Sequence, residues 1–561
     1  MHGMAMSSTP PAPPRDTPAF DALRARLANA LRAHADPQAL LQATLSQLHG
    51  SDWQAWHEYA RAFSLNGAAS LAIALLVEAT RRWPQVAQLQ VGLGNALRLS
   101  QRLPEAEQVF RNVLRIHPDH EPAALPLAFM LRDSGRIDAA CAVVLALWQD
   151  QGRGVEATLK AAAFFEECGQ PRWVAQVCET GLGEGLCDPR IVALAGDAAV
   201  ALGQFERGRE RLLAALDAGL ELKDWSGIFG RLASTQHYAD SAHPDLQRFE
   251  QAWTDLSLAE ETRIAAGFAL GKARTDIGDF SGAVDVLRRA NALRRERSCW
   301  DSAAMQDFIA ARIAAPLPPQ LDAVAAFASV TPIFVVGLPR TGTTLIAQLL
   351  ACHPHVRSRG EMDWLPFLAF ELAHGEHANN PAALRQAASV YLAHLRQDDA
   401  PARWYIDKNP HNFRHLDLIA SLFPQARIIH CVRERRDTAV SIWSQLFAHQ
   451  DMDYAYDLGD IAAFGHGHDR LMQHWRRSLT LPLFELAYER LVDQPAAILR
   501  ELGEFIGLPE HDLADAQSDD RSAIGTASVW QARQPIHRGA VGRWRQFAPY
   551  LPELADNFGV A

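Results

Sequence analysis

The sequence predicts two architectures in series: an α-helical solenoid, then an α/β domain with a mostly parallel sheet. Three observations carry this. Pro84 in RRWPQ and Pro118 in RIHPDH stand 34 residues apart, and apolar and small residues recur at the same interval around them. From Ile333 onward short apolar runs alternate with amphipathic helical segments. Between these regimes lies a Pro- and Ala-rich stretch, APLPPQLDAVAAFASVTP, over residues 315–332.

At 561 residues the chain holds roughly three or four domain-sized units, or one domain plus a repeat array. A net charge of −11 excludes nucleic-acid binding by bulk electrostatics. The seven cysteines form no CxxC pair and no disulfide framework, which predicts a reducing, cytoplasmic setting. The Pro-rich start has no apolar core, so neither a signal peptide nor an anchor is expected, and no apolar run is long enough for a membrane span.

Residues 1–18 are too polar and Pro-rich to bury anything and are expected to be disordered. Residues 19–300 carry the repeats. Trp56, Tyr59-Ala60, Phe63, Ala72, Leu76 and Ala79 precede Pro84; Leu93-Gly94, Leu97, Ala106, Phe110 and Val113 precede Pro118. Leu127-Ala128, Leu131, Ala140 and Val144 continue the series, weaker units come next, and Leu270-Gly271, Gly278-Asp279-Phe280, Ala283, Leu287 and Ala290 mark the last repeat. These patterns resemble the tetratricopeptide repeat (TPR) family. Small residues sit where paired helices cross, and the concave face is the expected surface for protein or peptide partners.

Residues 301–330 read as a linker, and 331–561 as the second domain. Its strands are Ile333–Val336, Trp404–Ile406, Arg427–Val432 and Leu483–Ala487. In a parallel sheet, ligands bind beyond the C-terminal strand ends, so the residues just past each run are the informative ones. The first run leads into Gly337-Leu338-Pro339-Arg340-Thr341-Gly342 and the helical pattern from Thr343, a P-loop-like arrangement of strand, Gly-containing loop and helix N-terminus suited to an anion. Thr343 stands where a Walker lysine would, and Arg340 supplies the charge instead, which suits a 5′-phosphate bearing one further group better than ATP and Mg²⁺. After the third strand, Arg433 ends the run, Asp437 or Thr438 is expected to cap a helix, and Ser441 lies within it, a second phosphate grip. Gly465-His466-Gly467-His468 reads as a loop without a third ligand, so no metal site is expected.

Two phosphate grips in this order resemble the sulfotransferases that use 3′-phosphoadenosine-5′-phosphosulfate (PAPS), in the tyrosylprotein sulfotransferase-like branch, in a bacterial form with amino-terminal TPR repeats. PRTGTTL is similar to that family's 5′-phosphosulfate loop and VRERRDTAVS to its 3′-phosphate element. The resemblance implies that Arg340, Thr341, Gly342, Thr343 and Thr344 hold the 5′-phosphosulfate, and Arg433 and Ser441 the 3′-phosphate. It further implies Glu361 in SRGEMDW as catalytic base, and Lys408 in DKNP, Arg340 and Ser528 in TASVWQ as groups that stabilise the leaving phosphate. Tyr488 in AYERL would line the nucleotide pocket, and Arg543 in VGRW would reach the 3′-phosphate. No metal is implied. The acceptor is a hydroxyl: protein tyrosine, a carbohydrate or a small hydroxylated metabolite. The helix 381–396 and the loop 449–470 are expected to shape its pocket. The rival reading is a TPR scaffold with an inactive nucleotide-binding domain.

Overall fold

The computed structural model describes residues 18–33, 36–223, 225–321, 330–373, 380–399, 401–509 and 536–559. The chain divides into two compact units, Gly3–Cys168 and Gly169–Ala561. The first is entirely helical among its described residues. Along the chain, first helices of successive pairs begin at Trp53, Ala87, Glu121, Val155 and Pro189, each 34 residues after the last. Second helices begin at Ala69, Leu103, Ile137, Pro171 and Phe205, at the same interval.

Within a pair, the crossing is set by one small residue. A β-carbon on Gly94 would lie 2.6 Å from the Phe110 ring, and Ala60, Ala72 and Ala128 are buried at the equivalent layer. In the second unit, Gly196 meets Leu212 and Gly271 meets Leu287 in the same way, at 3.0 and 2.5 Å. Close packing leaves no room for even one methyl at such contacts. The last pair is Glu260–Asp276 and Phe280–Glu296, whose second helix is capped by the Asp279 side chain accepting from Gly282 N at 2.9 Å.

The sheet has five parallel strands: β1 Thr331–Gly337, β2 Val356–Ser358, β3 Trp404–Asp407, β4 Arg427–Val432 and β5 Leu483–Ala487, in the order β2-β3-β1-β4-β5. All four runs expected from the sequence are strands. The fifth, β2, has three residues and no apolar run of its own; Val356 pairs with Trp404, and that pairing makes it a strand.

β1 is buried on both faces, as its continuous apolar run requires. Phe334 and Val336 face a layer with Tyr391, Phe413 and Phe423, whereas Ile333 and Val335 face Ile346, Leu350 and Leu502. The connection after β1 leads to β2 on one side, and that after β4 leads to β5 on the other. Their helices, Thr343–Ala351 and Arg435–Trp443, pack on opposite faces, so a crevice opens between the carboxyl ends of β1 and β4. Among the described residues no helix is long and apolar enough to cross a membrane.

Candidate active site at the carboxyl edge of the sheet

The loop after β1 is held tightly. Gly337, at φ +149°, packs so closely on β4 that a β-carbon would stand 2.4 Å from the Cys431 carbonyl oxygen. Gly342 takes the left-handed conformation (φ +92°) that lets helix Thr343–Ala351 start, and a β-carbon there would lie 2.7 Å from the Tyr488 ring. Arg340 shares the left-handed region at φ +70°, an uncommon conformation for a side-chain-bearing residue. Thr341 Oγ1 donates to Leu338 O at 2.7 Å, closing the turn. Thr343 and Thr344 form the first turn of the helix and are buried.

The crevice joins the two grips. Arg340 Nε donates to Ser441 Oγ at 3.0 Å, across 101 positions of sequence. Arg433 Nη1 donates to Arg340 O at 2.9 Å, its Nη2 donates to Ala540 O, and its guanidinium lies 4.8 Å over the Tyr488 ring. Arg433 Nε is buried with no hydrogen-bond acceptor among the described residues. Arg543 joins them from the C-terminal segment, which Asp437 fixes by accepting from Gly542 N at 2.6 Å and Trp544 N at 2.8 Å.

Asp437 therefore does not cap its helix. Glu434 does, accepting from Asp437 N at 2.9 Å, while Glu489 accepts from Glu434 N at 2.9 Å. Glutamate at an N-cap gives a weak sequence signal, and an Asp three positions on is the stronger candidate by type. The clamp that Asp437 makes is with residues more than a hundred positions away and leaves no local trace.

Burial, then repulsion from Arg433 and Arg543, holds the Arg340 guanidinium down to about 10. Arg543 is lowered mainly by burial, with Arg433 adding to it. Three cations facing one crevice, one of them with a buried donor lacking an acceptor, form a site that an anion of two or more charges would satisfy.

A second group sits one strand away, past β3. Arg359 N donates to Ile406 O and Lys408 N to Gly360 O, both at 2.8 Å, so the Arg359–Glu361 segment lies alongside the end of β3. Lys408 is 3% exposed, and its Nζ donates to Glu361 Oε1, on a side chain 40% exposed. Beneath them Asp407 accepts from Tyr391 Oη at 2.7 Å and Asn412 Nδ2 at 2.8 Å, and burial pushes its carboxyl up to about 7 despite these donors.

The structure thus brings Arg340, Arg433, Ser441, Tyr488 and Arg543 together at one crevice, with Thr341, Gly342, Thr343 and Thr344 in its wall. Glu361 and Lys408 form their pair at the adjoining strand end. Ser528 lies outside the described residues. The segment 381–396 is helical, Pro381–Arg396. The segment 449–470 is not a loop: Gln450–Tyr456 is a 3₁₀ turn, and Leu458–Ser478 a 21-residue helix. Three glycines and three histidines disguise that helix, but Phe464, Leu471 and Trp475 anchor its buried face. His466 is exposed on it, whereas His468 is buried with Nε2 at 3.2 Å from His430 Nε2. Among the described residues, no three His, Cys, Asp or Glu side chains are arranged to hold a metal ion.

Residues 332–512 match the sulfotransferase family. An uncharacterized protein of Aquifex aeolicus is 33% identical over 55% of this chain and 43% of its own length. Protein-tyrosine sulfotransferase 1 of Danio rerio is 24% identical over 38% of this chain and 65% of its own. The chain therefore spans less than two thirds of the length of either relative. A crystal structure of sulfotransferase STF9 from Mycobacterium avium aligns with 57% of this chain and 97% of its own, at 17% identity and a TM-score of 0.24.

Proposed function

From the match of residues 332–512 to the sulfotransferase family, we propose that the chain moves the sulfuryl group of PAPS to an acceptor hydroxyl. The observation that carries the reading is the convergence of Arg340, Arg433 and Arg543 on one crevice beside a left-handed glycine and a helix N-terminus. A nucleotide with phosphates at both its 3′ and 5′ positions fits such a set: Arg433, Ser441 and Arg543 at the 3′-phosphate, Arg340 and Thr341–Thr344 at the 5′ end, Tyr488 along the pocket. Bound PAPS supplies the electrophilic sulfuryl group and adenosine 3′,5′-bisphosphate as leaving group.

The chain's own residues would do the rest. Glu361, partly exposed, takes the proton from an acceptor hydroxyl. Lys408, buried except for its bond to Glu361, offers positive charge where negative charge develops on the leaving oxygen. Ser528 would add a donor there. These cations take the part that a metal ion has in phosphoryl transfer. Protein tyrosine is one acceptor class, by likeness to the Danio rerio enzyme; carbohydrates and small hydroxylated metabolites present the same oxygen. The helical repeats would bind protein or peptide partners, and seven free cysteines suit a reducing cytoplasm.

Calorimetric titration with adenosine 3′,5′-bisphosphate, beside ATP–Mg²⁺, tests this. The bisphosphate alone should bind, and Arg433→Ala should weaken it at least tenfold. Preference for ATP–Mg²⁺, or no nucleotide binding, would overturn the reading and favour the repeat scaffold.

A further inference from the structure

The last helical repeat touches the same segment that borders the Glu361–Lys408 pair. Arg294, on helix Phe280–Glu296, donates from Nη2 to Asp453 Oδ1 at 2.9 Å, and its guanidinium lies 4.9 Å over the Tyr456 ring. Asp453, 5% exposed, also accepts from Cys299 N at 3.0 Å, and its carbonyl accepts from Ser298 Oγ at 3.2 Å. The 3₁₀ turn Gln450–Tyr456 is thus pinned from the repeat side by three donors and one cation–π contact.

The other side of that turn meets the site. Tyr454 Oη lies 3.3 Å from His411 Nε2, and Asp451 accepts from Arg414 Nη2 at 2.7 Å with His411 Nδ1 at 3.8 Å. The chain runs Lys408-Asn409-Pro410-His411. Asn409 Oδ1 accepts from His411 N at 3.1 Å, and its Nδ2 donates to Met362 O at 3.2 Å, on the residue after Glu361. Polar contacts therefore run from the repeat to Asp453 and, across the peptide link to its neighbour Tyr454, on to His411, Asn409 and the backbone that carries Glu361.

We propose that the last repeat is a working part of the acceptor side of the site, with Arg294 as a positioning residue that fixes Gln450–Tyr456 and, through it, His411 and the Glu361–Lys408 pair. This rests on the sulfotransferase reading for its meaning in catalysis; the coupling itself rests on the contacts. None of these contacts reaches Arg340, Arg433 or Ser441. Asn291, on the same helix as Arg294, separately donates to Trp443 O at 3.0 Å, two residues past Ser441, and that link stays in place when Arg294 is removed.

Hydrogen exchange of the full-length protein, compared for wild type, Arg294→Ala and Arg294→Lys, tests the coupling. In Arg294→Ala, peptides over 450–457 and 408–414 should exchange at least threefold faster, those over 338–344 and 433–441 should not change, and Arg294→Lys should restore much of the protection. With PAPS and p-nitrophenol as donor and acceptor, kcat should fall at least tenfold while KM for PAPS stays within twofold. Loosening confined to 450–457, or spread evenly over all four segments, would overturn the proposal. Exchange needs no nucleotide. A wild type that does not bind adenosine 3′,5′-bisphosphate would thus remove the sulfotransferase reading alone, whereas normal binding with an unchanged 408–414 would remove the coupling alone.

Discussion

Lys408 Nζ donates to Glu361 Oε1 across 47 positions of sequence, joining a nearly buried cation to a carboxylate that solvent can reach. A carboxylate in that setting is held at one place and remains open to an incoming hydroxyl. Glu361→Gln keeps the shape and the acceptor oxygen for Lys408 but removes the base. Turnover of PAPS with p-nitrophenol should fall by about 10²–10⁴-fold. Affinity for adenosine 3′,5′-bisphosphate, read by calorimetry, should stay within twofold. Turnover close to wild type would take the base role from Glu361.

Gly342 meets two constraints at once, a left-handed backbone and the Tyr488 ring 2.7 Å from where a β-carbon would sit. Gly507, at φ +75° after helix Pro495–Ile506, has the first constraint and open space around it. Gly507→Ala should cost about 1 kcal/mol of stability, from the left-handed conformation alone. Gly342→Ala should lower the thermal midpoint further and weaken bisphosphate binding at least tenfold. Equal effects of the two substitutions would mean that the ring contact gives way freely.

Burial lowers Arg340 and Arg543, and repulsion within the group of Arg340, Arg433 and Arg543 adds to it, with Asp276 and Asp437 opposing it at Arg543. A multiply charged anion should therefore stabilise the fold. At a concentration a hundred times its Kd, adenosine 3′,5′-bisphosphate should add about 2.7 kcal/mol, seen as a rise in thermal midpoint. Arg543→Met should lose most of that rise, while the unliganded variant should melt no lower than wild type. A lower midpoint without ligand would show that Arg543 is a structural cation.

The buried pair His430–His468 sets a pH dependence. Burial holds both imidazoles below 6.5; the partner imidazole, Arg476 and Arg435 add to this at His430, whereas Asp469 opposes it at His468. Glu485 also faces His430 Nδ1 at 3.6 Å. The native state keeps these rings neutral while the unfolded chain takes up protons near 6.5, so their contribution to stability is lost as pH falls below that value. Each imidazole contributes a slope of about 1.4 kcal/mol per pH unit there. In His468→Gln, stability measured by urea unfolding should fall less steeply between pH 6.5 and 5. An unchanged slope would place the native ring in its charged form.

Much of the fold is legible in local pattern. The 34-residue interval read from Pro84 and Pro118 is the interval at which helices begin from Trp53 to Phe205, because each repeat buries the same positions against its own partner helix. β1 and β4 are legible because their apolar, β-branched runs suit burial on both faces of a parallel sheet. β3 and β5 are legible because Trp404-Tyr405-Ile406 and Leu483-Phe484 are short apolar runs, β5 being a partly exposed edge strand. β2 is not legible, since Val356-Arg357-Ser358 becomes a strand only by pairing with β3. The helix Leu458–Ser478 is hidden because its Gly-His-Gly-His stretch lowers helix propensity, and packing of Phe464, Leu471 and Trp475 outweighs it. Of the site, residue types that bind phosphate are visible by their place after strands. Asp437, Asp453 and His411 are not, since each acts through residues far away in sequence.

The local elements and the chemistry at their ends are written in the chain itself: a glycine-bounded loop before a helix, an Arg after one strand, an Asp-Lys after another. Backbone conformation and apolar periodicity are local properties, so they can be read residue by residue. Which of these ends meet is a matter for the tertiary structure. Strand order places β4 directly beside β1, and Arg340 thereby reaches Ser441 across 101 positions. It places β3 on the other flank, which brings Lys408 to Glu361. Pairing between distant strands and packing of helices on opposite faces are non-local choices, settled by the burial of the whole sheet.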